Sequence, residues 1–238
     1  MRLDNLLAQA GFGGRNHIKK LIRSRQVLVD GQPATQDSQI VDTGLQEISV
    51  AGQKVEGYGS RYYLLNKPAG VVTARSDKEH QTVLDLIAPK DRVAGLYPIG
   101  RLDRDTKGLL LITNNGPLGY RMLHPSHHVD KMYEVIVNGL LTEDSIYDFA
   151  RGIVFHDGTI CKPAQMEILY AREDKSLAHV TISEGKFHQI KKMFLCIGLK
   201  VISLTRLSFG DFILPADLHP GQYRVLNDDE KKRIKRYL

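Results

Sequence analysis

One stretch of the chain concentrates reactive groups: Gly100-Arg101-Leu102-Asp103-Arg104-Asp105-Thr106-Lys107-Gly108-Leu109-Leu110-Leu111. Two carboxylates, the cations Arg101, Arg104 and Lys107, and the Thr106 hydroxyl precede an apolar run that reads as a buried strand. Polar loops on a rigid apolar support are where binding and catalytic groups gather. By residue type alone, Asp103 and Asp105 fit three uses: ion pairs with their basic neighbours, metal ligands, or a nucleophilic carboxylate. Local ion pairing is the default for such a cluster. A two-metal nuclease site would need further carboxylates that this segment lacks.

A second concentration is purely basic. Arg15, His17, Lys19, Lys20, Arg23 and Arg25 fall within eleven residues, with Ile18, Leu21 and Ile22 spaced as the apolar stripe of a helix. Such a helix buries one face and can lay the other along a phosphate backbone, gaining affinity without reading sequence. The plainer alternative is a solvated helix face.

Motif order separates these alternatives. Residues 2–8 (R-L-D-x-x-L-A), Gly14-Arg15, and the run from Ile22-Arg23 to Val27-Leu28-Val29-Asp30-Gly31 resemble the S4 RNA-binding domain. Two departures stand out. Gly14 occupies the usual place of a serine, and Ser24-Arg25-Gln26 replaces a glycine-containing turn.

Further along, G-R-L-D-x-x-T-x-G-L-L-L resembles the signature of the pseudouridine synthases related to the ribosomal small-subunit enzyme. Four more segments agree in order: Tyr63 to Gly70 with Asn66-Lys67-Pro68, Lys131-Met132-Tyr133-Glu134-Val135, Glu184 to Met193, and Leu204-x-Arg206-x-x-x-Gly210.

The resemblance implies that Asp103 is the essential carboxylate, acting as nucleophile or as the group that stabilises and deprotonates the sugar. It implies that Tyr133 stacks on uracil, and that Lys191 is the cation keeping the aspartate ionised against desolvation. Arg101 is expected to fill the gap left by the extruded nucleotide or to hold its phosphate. Further RNA contacts are expected at Arg15, Lys19, Lys20, Arg23, Lys107, His188, Gln189, Lys192 and Arg206. Asp105 lies where the family pattern is permissive. The reaction needs neither cofactor nor metal. The implied partner is ribosomal RNA or a pre-ribosomal small-subunit particle, and His124-Pro125-Ser126-x-His128 with Lys162-Pro163-Ala164 favours the small-subunit type over the large-subunit type. A non-catalytic S4-type assembly factor is the alternative outside catalysis, and intact Asp103, Tyr133 and Lys191 argue against it.

The elements that must position these groups follow from periodicity. Leu3, Leu6, Leu7 and Ala10 recur at helical spacing, glycines interrupt at 11–14, and the basic helix resumes the pattern. Two extended stretches about the Asp30-Gly31 turn then complete an αα-β unit over residues 1–56. Residues 51–60, with Gly52, Gly57 and Gly59, read as a linker. From 61 to 238 strands are expected at Tyr62–Leu65, Val71–Thr73, Leu109–Thr113, Tyr133–Val137 and Val180–Ile182. Helices are expected near Thr82–Ile87, Thr142–Arg151, Gln189–Ile197 and Asp228–Tyr237. Strands outnumber helices without regular alternation, which predicts an α+β fold with a mostly antiparallel mixed sheet flanked by helices.

Composition narrows the setting. The chain has 238 residues, 33 Lys+Arg against 27 Asp+Glu, and a net charge of +6, a moderate bias toward polyanions. Cys161 and Cys196 lie far apart in no ligand pattern, which speaks against disulfide frameworks and structural zinc. With no signal-like apolar run and no membrane-length segment, a cytoplasmic monomer is expected.

Overall fold

The computed structural model describes residues 1–57, 59–124 and 129–238. It opens with helices α1 (Leu3–Gln9) and α2 (Arg15–Arg23), followed by β1 (Val27–Val29), β2 (Gln32–Pro33), β3 (Ile48–Val50) and β4 (Gln53–Lys54). The four strands pair antiparallel in the order β2-β1-β3-β4. Asp30 and Gly31 both take positive φ, 53° and 77°, the geometry that lets a two-residue turn follow the twist of a hairpin. Leu3, Leu6, Leu7, Ile18 and Ile22 pack on Val27, Val29, Ile48 and Val50 in one core.

Both departures noted in the sequence have structural counterparts. Gly14 is the N-cap of α2 and gives it no side-chain bond. Arg25 sits at φ 58°, a left-handed position that costs a non-glycine residue about 1 kcal/mol. The linker expected over 51–60 is shortened, because β4 pairs with β3 and Val55 is buried in the N-terminal core.

The rest of the chain adds β5 (Tyr62–Lys67), β6 (Tyr97–Ile99), β7 (Lys107–Thr113), α3 (Gly116–Leu123), β8 (Lys131–Val137), α4 (Glu143–Arg151), β9 (Gln165–Ala171), β10 (Ser176–Ile182) and α5 (Gln189–Cys196). It ends with β11 (Val201–Phe209), β12 (Phe212–Ile213), β13 (Tyr223–Val225) and α6 (Asp228–Lys235). The nine strands run β13-β5-β7-β11-β8-β10-β9, with β6 on β7 and β12 on β11. Among the strands of the described residues only β7 and β11 pair in parallel, so the sheet is mixed and mostly antiparallel, in an α+β fold.

Helices cover both faces of this sheet. Tyr63, Leu65, Leu110 and Ile112 face Phe149 of α4 and Phe194 of α5. Their alternating neighbours Tyr62, Leu64, Leu109 and Leu111 face Leu118 of α3 and Ile234 of α6. Two-sided burial explains why β5 and β7 read as unbroken apolar runs rather than alternating ones.

Two expected elements are absent. Residues 82–87 form turns, not a helix, because the Thr82 hydroxyl donates to Asp85 Oδ2 (2.8 Å) and accepts from the Asp85 N–H (3.3 Å). Such local side-chain bonds offer the backbone an alternative to helix. Residues 71–73 supply only an isolated bridge, Val72 to Thr82.

The two sheets are joined through a buried carboxylate. Asp42 Oδ2 accepts from the Tyr62 hydroxyl (2.6 Å) and Asn115 Nδ2 (2.9 Å), while its Oδ1 accepts from the N–H groups of Gly44 (2.8 Å) and Ser60 (3.0 Å). Asn115 Oδ1 in turn accepts from Leu118 N–H and caps α3. Burial, reinforced by Asp42, pushes the Tyr62 phenol well above its usual range. Lys235 of α6 adds an ion pair to Asp30 at 2.9 Å.

Candidate active site

The segment carrying Asp103 leads into β7 and is pinned from below. Thr73 Oγ1 donates to the Leu102 carbonyl (2.7 Å) and accepts from the Leu102 N–H (3.2 Å). The Gly70 N–H donates to the Arg104 carbonyl (2.8 Å), and the Thr106 N–H closes a turn on the Asp103 carbonyl (3.1 Å). Beneath them the wholly buried Lys67 Nζ donates to the carbonyls of Pro68 (3.0 Å), Arg104 (3.2 Å) and Thr106 (2.8 Å). One ammonium therefore ties the Pro68 carbonyl to the segment that follows Asp103, at residues 104 and 106.

Burial pulls Lys67 down to about 8, with Lys191 adding to the effect and the charges of Asp105 and Asp103 opposing it. An ammonium has three N–H groups for three carbonyls, whereas a neutral amine has two. Turnover is therefore expected to fall as pH rises through about 8. The folded value lies below lysine's ordinary 10.5, so between the two the unfolded chain binds more protons, and this group's share of stability rises with pH there. Activity and this stability contribution thus move in opposite directions. A pH–rate profile flat to about pH 9 would exclude the role.

Asp103, about three-quarters buried, faces helix α5. Lys191 Nζ lies 3.2 Å from its Oδ2, and His188 Nε2 lies 3.6 Å from its Oδ1. The same lysine bonds Asp105 Oδ1 at 2.6 Å, so one cation bridges both carboxylates. Burial pulls Lys191 down, but its bond to Asp105 and the charge of Asp103 outweigh this and hold it above the usual range. Asp105, mostly exposed, is held below the usual carboxylate range: its own partial burial acts the other way, and the Lys191 bond prevails.

Asp103 and Lys191 line a cavity of about 660 Å³ together with Arg101, Tyr133, His188 and Arg206. Tyr133 is buried on β8 and stands opposite Arg206 in the β8–β11 register. Gln189 also lines the cavity, but its side chain is engaged: Nε2 donates to Glu184 (2.6 Å) and Oε1 accepts from the Lys186 N–H (2.8 Å). Glu184 further accepts from Lys186 Nζ and the Lys162 N–H, which organises the wall ahead of α5.

The remaining expected contacts lie elsewhere. Lys107 begins β7 outside the cavity lining. Lys192 is also outside it, 3.9 Å from Asp157 and over the rings of Phe155 and Phe187. Arg15, Lys19, Lys20 and Arg23 are exposed on α2, and Lys19 lies 3.7 Å from Asp37. Pro125, Ser126 and His128, part of the subtype-favouring run, lie outside the described residues. Lys67 and Lys131 are site residues to which the sequence alone assigns no role, although both stand in matched motifs.

The RNA pseudouridylate synthase model matches residues 61–195, and the S4 domain model matches residues 1–46. The chain belongs to the RNA pseudouridine synthases. It is 40% identical to "Uncharacterized RNA pseudouridine synthase YtzG" of Bacillus subtilis, over 97% of this chain and 96% of the relative. It is 36% identical to the ribosomal small subunit pseudouridine synthase A of Escherichia coli, over 97% and 98%. It is 37% identical to the ribosomal large subunit pseudouridine synthase B of Bacillus subtilis, over 98% and 95%. A crystal structure of a pseudouridylate synthase superposes with a TM-score of 0.68 at 32% identity, covering 98% of this chain and 99% of that one.

Proposed function

We propose that this synthase isomerises one uridine of small-subunit (16S) ribosomal RNA to pseudouridine, with Asp103 as the catalytic carboxylate. The observation that carries this reading is the convergence of Asp103, Lys191 and Tyr133 on one cavity. The reaction breaks the N1–C1′ glycosidic bond, turns the base, and joins C5 to C1′ of the same sugar; the C5 proton leaves and N1 gains one, with no net redox change or hydrolysis. The Asp103 carboxylate attacks or stabilises the sugar–base system, with Lys191 ion-paired to it at 3.2 Å. Tyr133 stacks on the uracil and sets its orientation. Arg101, exposed at the rim, helps hold the extruded nucleotide.

Residues 1–56 act as the RNA-binding domain and residues 61–238 as the catalytic domain. The protein works in the cytoplasm as a monomer, on ribosomal RNA or a pre-ribosomal small-subunit particle. No helix among the described residues is long and apolar enough to cross a membrane. Neutralising Lys19, Lys20 and Arg23 is expected to weaken RNA binding by about tenfold or more at low salt and to flatten its salt dependence, with single-turnover chemistry on bound RNA spared. Unchanged affinity in a filter-binding titration would reduce α2 to a solvated face.

A large-subunit (23S) target is the second reading, because the large-subunit relative is as similar as the small-subunit one. Carbodiimide-dependent primer extension across both RNAs decides between them. The RNA would come from cells lacking the gene, complemented with wild type or Asp103→Asn. One stop in the small-subunit RNA, restored only by wild type, is the expected result. A restored stop in the large-subunit RNA moves the target, and no restored stop overturns the ribosomal reading.

A further inference from the structure

We infer that Lys131 and Arg206 form an anion subsite in the wall of this cavity, which receives a phosphate group of the target nucleotide. The inference rests on the uridine-isomerising reading and adds a second recognition element to it.

The starting point is an imbalance of charge. Arg206 is 2% exposed, and its Nε donates to the Leu109 carbonyl at 2.8 Å. Its Nη2 has no partner among the described residues. Lys131 donates to the Val129 carbonyl at 2.6 Å. Neither cation has a carboxylate within 4.0 Å among the described residues. The two flank a single ring, with Lys131 Nζ 5.4 Å and Arg206 Cζ 5.1 Å from the centroid of Phe209. Lys191 in the same cavity is the contrast, since two carboxylates answer its charge.

Glu184 would be the natural counter-ion, but its oxygens are taken by Lys186, Gln189 and the Lys162 N–H. Burial, reinforced by the neighbouring Arg206 charge and opposed by the more distant charges of Asp130 and Glu184, pulls Lys131 down to about 8. Two like charges in a partly desolvated wall are costly unless an anion joins them. A second orphan lines the same cavity: Thr106 Oγ1, buried, also lacks a partner among the described residues. Of the three such side-chain atoms among the described residues, only Thr43 Oγ1 belongs to a residue outside this cavity.

Position selects phosphate over base. Lys131 and Tyr133 share one face of β8, two residues apart, and Arg206 lies across from Tyr133 on β11. A base against Tyr133 would thus leave Lys131 about 7 Å along the strand and Arg206 across from it on β11, both within reach of the nucleotide's own phosphate. A uracil offers neutral carbonyls, whereas a phosphate oxygen matches a guanidinium and an ammonium in charge and strengthens both contacts.

Calorimetric titration of the full-length protein with uridine, uridine 5′-phosphate and uridine 3′-phosphate tests this at low salt. One of the two nucleotides is expected to bind about tenfold or more tightly than uridine. Lys131→Met and Arg206→Gln are each expected to erase that advantage, so that nucleotide and nucleoside bind alike. Arg206 is buried, so if Arg206→Gln fails to fold, Lys131→Met decides alone. Equal binding of nucleoside and nucleotides by wild type overturns the subsite, as does a Lys131→Met variant that weakens uridine and nucleotide alike. Absence of binding by all three overturns it too, and the uridine-isomerising reading is then judged separately by primer extension.

Discussion

Asp103→Asn is expected to abolish turnover, by roughly four orders of magnitude or more, while Asp105→Asn stays within about fivefold of wild type. The two residues are chemically identical, lie two positions apart and share one lysine, so only their placement distinguishes them. Asp103 is about three-quarters buried in the cavity wall with Tyr133, whereas the Asp105 side chain is 73% exposed. Asparagine keeps the size of the side chain but removes the charge and the nucleophilic oxygen. Lys191 retains Asp105 as a partner in Asp103→Asn and retains Asp103 in Asp105→Asn, so neither variant strands a buried ammonium. Pseudouridine yield on the target RNA, with thermal melts to confirm folding, is the measurement. Equal loss in two folded variants would sink the assignment of Asp103.

The largest expected effect on stability lies at Gly108. Its φ is 105°, and a Cβ built there would stand 2.3 Å from the Arg206 carbonyl oxygen and 2.7 Å from the Arg206 nitrogen. Both clashing atoms are backbone, fixed where β7 and β11 make their parallel pairing. Gly108→Ala is therefore expected to cost roughly 3 kcal/mol or more, combining left-handed strain with overpacking. For a chain of this length that corresponds to a fall of about 6–12 °C in melting temperature. Gly116→Ala is the control: a Cβ there would meet no heavy atom within 4 Å, and the residue opens helix α3 outside the left-handed region. A change within about 1 kcal/mol is expected. A Gly108→Ala protein melting with wild type would show that the two strands can part without loss.

Features fixed by local chemistry are readable from the chain. The αα-β start follows from leucines at helical spacing and a turn pair that accepts positive φ. The reactive segment is legible because a dense polar loop abuts an apolar strand. Non-local features are not. Strand β11 has a mixed burial pattern, yet it sits centrally between β7 and β8. Helix α3 begins Gly-Pro, which reads as a turn until Asn115 is seen to cap it. Residues 82–87 have helical spacing, but a threonine–aspartate exchange of hydrogen bonds wins locally. Nothing near Lys67 announces that its ammonium will lie beneath carbonyls of residues 104 and 106. Lys191 is expected to serve Asp103, and the structure has it bridging Asp105 as well.

The Asp42 junction bears on how such genes can be shuffled. An N-terminal module looks like a cassette that recombination could exchange freely between relatives. Here its carboxylate is the acceptor for the Tyr62 phenol on β5 and for the Asn115 amide at the start of α3. A graft lacking that acceptor would leave the Tyr62 hydroxyl proton without its acceptor and the Asn115 amide with only its 2.8 Å bond to Tyr62, at about 1–3 kcal/mol for each donor left unsatisfied. Exchange should therefore succeed where residues 42, 62 and 115 descend together, and yield poorly soluble hybrids where the crossover separates them.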